Sequence, residues 1–191
     1  MRTILGLTGS IGMGKSTTAQ MFRDRGVPVW DADATVHKLY APDGPAPKLL
    51  EAAFPGSVQA DGHVDRAHLR KLIGEDASVL DRINSIIHPL VAEDRAAFLA
   101  DTEGLVVLDV PLLFETDGHA YCDKVAVVSV DAEIQRDRVL SRGTMTEKDL
   151  ENILKRQTPD AEKRARADYI IDTSSMDVAQ DAVDRIIAEL T

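Results

Sequence analysis

Gly9-Ser10-Ile11-Gly12-Met13-Gly14-Lys15-Ser16 is the stretch on which the fold turns. It satisfies G-x-x-x-x-G-K-[ST] at every fixed position. Glycines permit the backbone angles that aim successive N–H groups inward, so such a loop becomes a nest for anionic oxygens. A helix starting at the loop points its unpaired N–H groups and the positive end of its dipole at the same anion. Lys15 adds a charge within reach of terminal phosphates, and the Ser16 hydroxyl is a ligand for Mg²⁺. A chance match in a glycine-rich turn would lack the flanks seen here. An apolar, β-prone run over residues 3–7 enters the loop, and a helical pattern over 15–25 leaves it, with Gly26 as its stop.

Further along, residues 27–30 read as a second strand running into Asp31-Ala32-Asp33. Residues 105–110 and 124–130 are continuous apolar runs, and Tyr169-Ile170-Ile171 is a shorter fifth. Such runs alternating with helices predict a mostly parallel five-stranded sheet with helices on both faces, a three-layer α/β fold. Val178, Ala182, Val183, Ile186, Ile187 and Leu190 share one face of a final helix, expected to pack on that sheet.

Two segments exceed a minimal strand–helix alternation. Roughly seventy residues separate the second and third strands, far more than one crossover helix needs. They are helical in pattern, with Val79, Ile83, Ile86, Ile87 and Leu90 on an apolar face interrupted at His88-Pro89. Residues 136–166 are polar and basic, with a capping-box pattern at Thr146-Glu147-Lys148-Asp149. The expected organisation is one domain, 1–191. Its core is 1–33, 104–135 and 167–191, with a helical insertion over 34–103 and a lid over 136–166.

The formal net charge is −10. A surface that acidic repels a nucleic-acid backbone and an anionic membrane, so neither is an expected partner. Cys122 is the single cysteine and cannot form an internal disulfide, which fits a reducing compartment. The start lacks a signal-peptide pattern, and no run approaches the ~20 apolar residues of a membrane helix. The cytoplasm is the expected location. No motif surrounds Cys122, which reads as an ordinary thiol. The sequence leaves the oligomeric state open, and a monomer is compatible with it.

Anionic ligands in an acidic protein require groups concentrated locally. Asp31 and Asp33 follow the second strand, and ligands of open parallel sheets gather at the carboxyl ends of strands. Asp33 there suits a general base or a metal contact, and equally an N-cap for a helix over 34–40. Asp109 ends a hydrophobic strand, as metal-contacting acids do, although strands often end in Asp at a turn. Arg138 and Arg142, four apart, would share a helix face, either as solvated surface or as arginines closing over the transferring phosphate. His88 before Pro89 reads as a helix cap or a partly buried core residue.

Together these elements resemble the dephospho-CoA kinase family nearly end to end. The resemblance rests on the loop through Thr17, on Gly26-Val27-Pro28-Val29 and Asp31-Ala32-Asp33, and on Asp65-Arg66 and His88-Pro89. It continues through Asp109-Val110-Pro111-Leu112-Leu113-Phe114-Glu115, the Arg138 and Arg142 pair, Gln157, and Ala167-Asp168-Tyr169-Ile170-Ile171-Asp172. It implies ATP with Mg²⁺ as donor and the ribose 3′-hydroxyl of dephospho-CoA as acceptor. ATP would be held by Gly9, Ser10, Ile11, Gly12, Met13, Gly14, Lys15, Ser16 and Thr17 with Arg138 and Arg142, and the metal by Ser16 and Asp33. Asp33, Lys15 and Arg142 would carry the chemistry. Asp31, Asp33, Arg66, His88, Pro111, Leu112 and Glu115 would meet the acceptor. Ser10 and Met13 depart from the family's usual loop at free positions, and Gly74 stands where an aromatic is frequent. Thr173 stands where Asn is frequent, a change that bears on the adenine contacts. The alternative is another small-molecule P-loop kinase with a different hydroxyl acceptor. A GTPase is disfavoured because Asn84 and Asn152 lie in no guanine-reading motif.

Overall fold

The computed structural model describes residues 2–191. The strands β1 (Thr3–Thr8), β2 (Val29–Asp31), β3 (Leu105–Asp109), β4 (Lys124–Ser129) and β5 (Tyr169–Asp172) form one sheet in the order β2-β3-β1-β4-β5, with every pairing parallel. A parallel strand covered on both faces must be apolar throughout, and β3 is buried at every position.

Helices α1 (Lys15–Asp24), α6 (Ala132–Leu140), α7 (Glu147–Leu154), α8 (Asp160–Arg166) and α9 (Met176–Leu190) belong to the same unit as the sheet. Phe22 and Ala19 of α1 and Ala179, Ala182, Val183 and Ile186 of α9 pack with Leu5, Leu7, Val107 and Val128 on one face. Leu113 and Phe114 cover Val125 and Val127 on the other. The buried stripe of α9 runs 179, 182, 183, 186, which is the i, i+3, i+4, i+7 spacing of a core-facing helix. Val178 falls outside that stripe and is 41% exposed, contrary to the sequence reading. The Thr146 capping box opens α7 as expected.

Residues Ala32–Asp101 make a second compact unit; the first comprises Met1–Asp31 and Thr102–Thr191. The second unit holds α2 (Ala32–Leu39), α3 (Ala46–Ala53), α4 (Arg66–Glu75) and α5 (Ser78–Ala100) around Leu39, Leu50, Phe54, Leu69, Ile83 and Ile87. The expected interruption at His88-Pro89 does not occur, because α5 runs straight through Pro89. Proline removes a hydrogen bond to the residue four earlier. Here Ser85 and Pro89 are both exposed, while Ile83 and Ile87 hold the opposite face in the core. Among the described residues no helix is long and apolar enough to cross a membrane.

Candidate active site

The parallel register fixes where the site lies in the sheet unit. Leu7 pairs with Asp109 and Asp31 pairs with Asp109, so the loop leaving β1 and two carboxylates share one sheet edge. The loop's backbone needs glycine at two places. Gly14 sits at φ 90° as the N-cap of α1, and Gly12 at φ 76°. A Cβ on Gly12 would meet Val139 at 2.6 Å and the Gln135 carbonyl at 3.2 Å, so α6 packs against bare backbone. The free motif positions are also used. Met13 is buried, and its sulfur accepts from the Val130 N–H at 3.3 Å, while Ser10 is 5% exposed. Ser16 and Thr17 stand exposed in the first turn of α1.

Lys15 Nζ is paired with Asp109, whose side chain is almost wholly buried. Burial pushes the Asp109 carboxyl above its ordinary range, Lys15 offsets part of that shift, and the neighbouring Asp31 adds to it. Asp31 is the last residue of β2 rather than a residue beyond it, and an ion pair joins it to Arg23 at 3.8 Å. Ser16, Asp31 and Asp109 are thus the oxygen donors that the sheet unit offers to a cation.

Beside the loop opens a cleft of about 260 Å³, lined by Gly12, Gly14, Thr17, Arg138, Arg142 and Thr173 among others. Arg138 and Arg142 both reach it, but not as neighbours on one helix. Helix α6 stops at Leu140, and Arg142 follows in the turn that Gly143 closes at φ 67°. Thr173, which the sequence marks only as a departure from a frequent Asn, ties β5 to the loop and to α6. Its hydroxyl donates to the Met13 carbonyl at 2.7 Å and accepts from Arg138 Nη1 at 3.2 Å. Its carbonyl accepts from Arg138 Nη2 at 2.6 Å. No spacing rule in the sequence announces such a tie.

Downstream of β3, Thr8 Oγ1 donates to the Pro111 carbonyl at 3.2 Å, Leu112 is 41% exposed, and Glu115 turns toward α8. Glu115 accepts the Thr158 N–H at 2.7 Å and lies 3.1 Å from Lys163, which is fully buried. Burial alone would raise the Glu115 carboxyl; the Thr158 N–H and Lys163 outweigh it and hold the group below its ordinary range.

In the helical unit, Asp33 lies exposed in the first turn of α2 instead of capping it from outside. Val36 and Tyr40 continue the same helix face one and two turns on. They line a groove of about 470 Å³ with Arg66, Arg70, Leu69 and Ile83. Arg66 stacks over the Tyr40 ring at 5.1 Å and lies 3.4 Å from His37 Nδ1. Asp65 fixes this start of α4 by accepting the Ala67 and His68 N–H groups, each at 2.9 Å. His88 is exposed in the middle of α5, so neither the cap nor the core reading holds, and it does not line the groove.

A family profile described as dephospho-CoA kinase matches residues 3–178. A dephospho-CoA kinase of Jannaschia sp. (strain CCS1) is 56% identical over 100% of this chain and 98% of its own. Among solved structures, a Thermus thermophilus protein superposes with a TM-score of 0.87 at 30% identity, covering 100% of this chain and 98% of that one. A dephospho-CoA kinase from Campylobacter jejuni shares the fold, with a TM-score of 0.71 at 21% identity over 99% and 97% of the two chains. A phosphate loop on an all-parallel sheet, joined to full-length identity above half, leaves one assignment: the chain belongs to the dephospho-CoA kinase family.

Proposed function

We propose that the chain transfers the γ-phosphoryl group of ATP to the ribose 3′-hydroxyl of dephospho-CoA, giving coenzyme A and ADP. The observation that carries this is the loop from Gly9 to Ser16, with Lys15 at the sheet edge beside Asp109. When ATP enters, Lys15 exchanges Asp109 for the β- and γ-phosphates, and the loop amides hold the same oxygens. Arg138 and Arg142, already in the cleft beside the loop, supply positive charge to the equatorial oxygens of the transferring group. An arginine in that role contributes about 10³–10⁵ in rate.

Mg²⁺ fits the residues present. Sites of this kind use one or two protein oxygens and complete the octahedron with water and phosphate. Accordingly, among the described residues no cluster of three or more acidic, His or Cys groups forms a cage. Ser16 would hold the ion directly, and Asp109, Asp31 or Asp33 would do so through water. An ion held by these residues would supply positive charge against the phosphate oxygens during transfer.

Asp33 accepts the proton as the 3′-oxygen forms its bond to the γ-phosphorus and ADP leaves. Its exposure in the first turn of α2 leaves the carboxylate open to a substrate. The groove begins at Val36, about one helical turn from Asp33, and includes Tyr40 just past the end of α2. Arg66 and Arg70 suit the acceptor's diphosphate, and Leu69, Ile73 and Ile83 suit its pantetheine arm. Leu112 and His88 are further acceptor contacts in this reading. The test is Asp33→Asn at saturating Mg²⁺-ATP. The expected loss is about 10²–10⁴ in kcat with unchanged circular dichroism; full activity would remove Asp33 as the base.

A further inference from the structure

Ile11 of the phosphate loop is held at both of its peptide groups by amide side chains that lie outside the loop motif. Gln135 Nε2, on α6, donates to the Ile11 carbonyl at 2.7 Å. The Ile11 N–H donates to Gln157 Oε1, just beyond α7, at 3.3 Å. Gln135 is 5% exposed and Gln157 is half-buried, so water competes poorly for these bonds.

Each glutamine is itself anchored. Gln135 sits where α6 packs directly on Gly12. Gln157 precedes Thr158, whose N–H is fixed by Glu115, and Glu115 is paired with the fully buried Lys163. That pair is close but not aligned as a hydrogen bond, since Lys163 Nζ and Glu115 Oε2 are without hydrogen-bond partners. It acts as an electrostatic prop, and the directional contact is the Thr158 N–H. The two glutamines bracket residues 136–156, the arginine-bearing segment, and both converge on Ile11.

We infer that Gln157 and Gln135 are positioning residues that set the ATP phosphate cradle from the two ends of this segment. They touch no reacting atom. Gln157 fixes the Ser10–Ile11 peptide through the Ile11 N–H, and Gln135 fixes the Ile11–Gly12 peptide through the Ile11 carbonyl and so the direction of the Gly12 amide. Glutamine suits the task because it offers a donor at one anchor and an acceptor at the other without adding charge beside a polyphosphate. The inference rests on the loop being the ATP site and is independent of which hydroxyl compound is the acceptor.

The test is isothermal titration of the intact protein with Mg²⁺-ATP, without acceptor, for wild type, Gln157→Leu, Gln135→Leu and the double variant. Leucine keeps the side-chain bulk and removes the hydrogen bond. Each single variant should bind ATP about fivefold more weakly, the loss of one ordinary hydrogen bond. The double variant should lose less than the product of the two, because both act on the adjacent peptides of one residue. In turnover assays the KM for ATP should rise while that for dephospho-CoA holds. Misfolding lowers the titration stoichiometry but leaves the affinity of the folded fraction unchanged. An unchanged ATP affinity, with or without lowered stoichiometry, would overturn the inference, and so would independent, multiplicative losses.

Discussion

Thr173→Val asks whether the tie between the β5 end and the phosphate loop is worth what its geometry implies. Valine matches threonine in shape, so no cavity opens and no new bulk enters. What disappears is the hydroxyl, with its bond to the Met13 carbonyl at 2.7 Å and its acceptance from Arg138 at 3.2 Å. Arg138 keeps the Thr173 carbonyl at 2.6 Å, so its own loss is small. The Met13 carbonyl loses a donor at a site where Thr173 is only 7% exposed. A buried acceptor deprived of its donor costs about 1–3 kcal/mol, so the expected destabilisation is ~2 kcal/mol. For a chain of this size that lowers Tm by about 4–8 °C. Because Met13 belongs to the cradle, the KM for ATP should rise several-fold in parallel. Thr173→Ser keeps the hydroxyl and should recover most of both effects. Differential scanning calorimetry and steady-state kinetics on the three proteins are sufficient. A Thr173→Val protein within about 1 °C of wild type, where ~2 kcal/mol should show plainly, would refute the reasoning.

Lys15→Ala should lower kcat by about 10²–10³, as loss of a preorganised transition-state contact does, while circular dichroism stays that of wild type. Stopped activity with a collapsed spectrum would instead mean that the Asp109 pair holds the fold. Asp168 should give the protein an acid-sensitive tie. Burial alone would raise its carboxyl, but Lys124 at 2.9 Å and the Val125 N–H at 2.9 Å hold it below the ordinary carboxylate range. A depressed carboxyl stabilises fully above its unfolded value and loses that contribution as pH falls through the folded one. Asp168→Asn should therefore cost about 1 kcal/mol at neutral pH: the amide oxygen can still accept the Val125 N–H, but without the charge, and the half-exposed Lys124 pair is lost. The gap in Tm from wild type should close in acid, and a gap that widens there would contradict the assignment.

The phosphate loop and the sheet were legible because their signals are local and redundant. Fixed glycines, Lys15 and an entering apolar strand all point one way, and continuous burial in β3 follows from its unbroken apolar run. The helical character of residues 34–103 was legible from periodicity, but the continuity of α5 through Pro89 was not. Proline's local penalty argues for a break, and only the packing of Ile83 and Ile87 overrides it. Spacing puts Arg142 on the helix face of Arg138, whereas α6 ends at Leu140 before reaching it, and the cleft gathers both arginines by way of a turn. Thr173, Gln135 and Gln157 lie at long sequence separations from Met13 and Ile11. Neutral polar side chains carry no periodic or charge signature, so their contacts emerge only once the chain is folded. Glu115 shows the same limit. The resemblance places it among acceptor contacts, and the sequence carries no sign of its ties to Thr158 and Lys163.

The central claim is tested most directly by product identity. Pure protein is incubated with Mg²⁺-ATP and dephospho-CoA, and ADP and coenzyme A are followed by mass-resolved chromatography. The account predicts both products in equal amounts, with phosphate on the ribose 3′-oxygen. ADP without coenzyme A, or dephospho-CoA phosphorylated at a different oxygen, would contradict it.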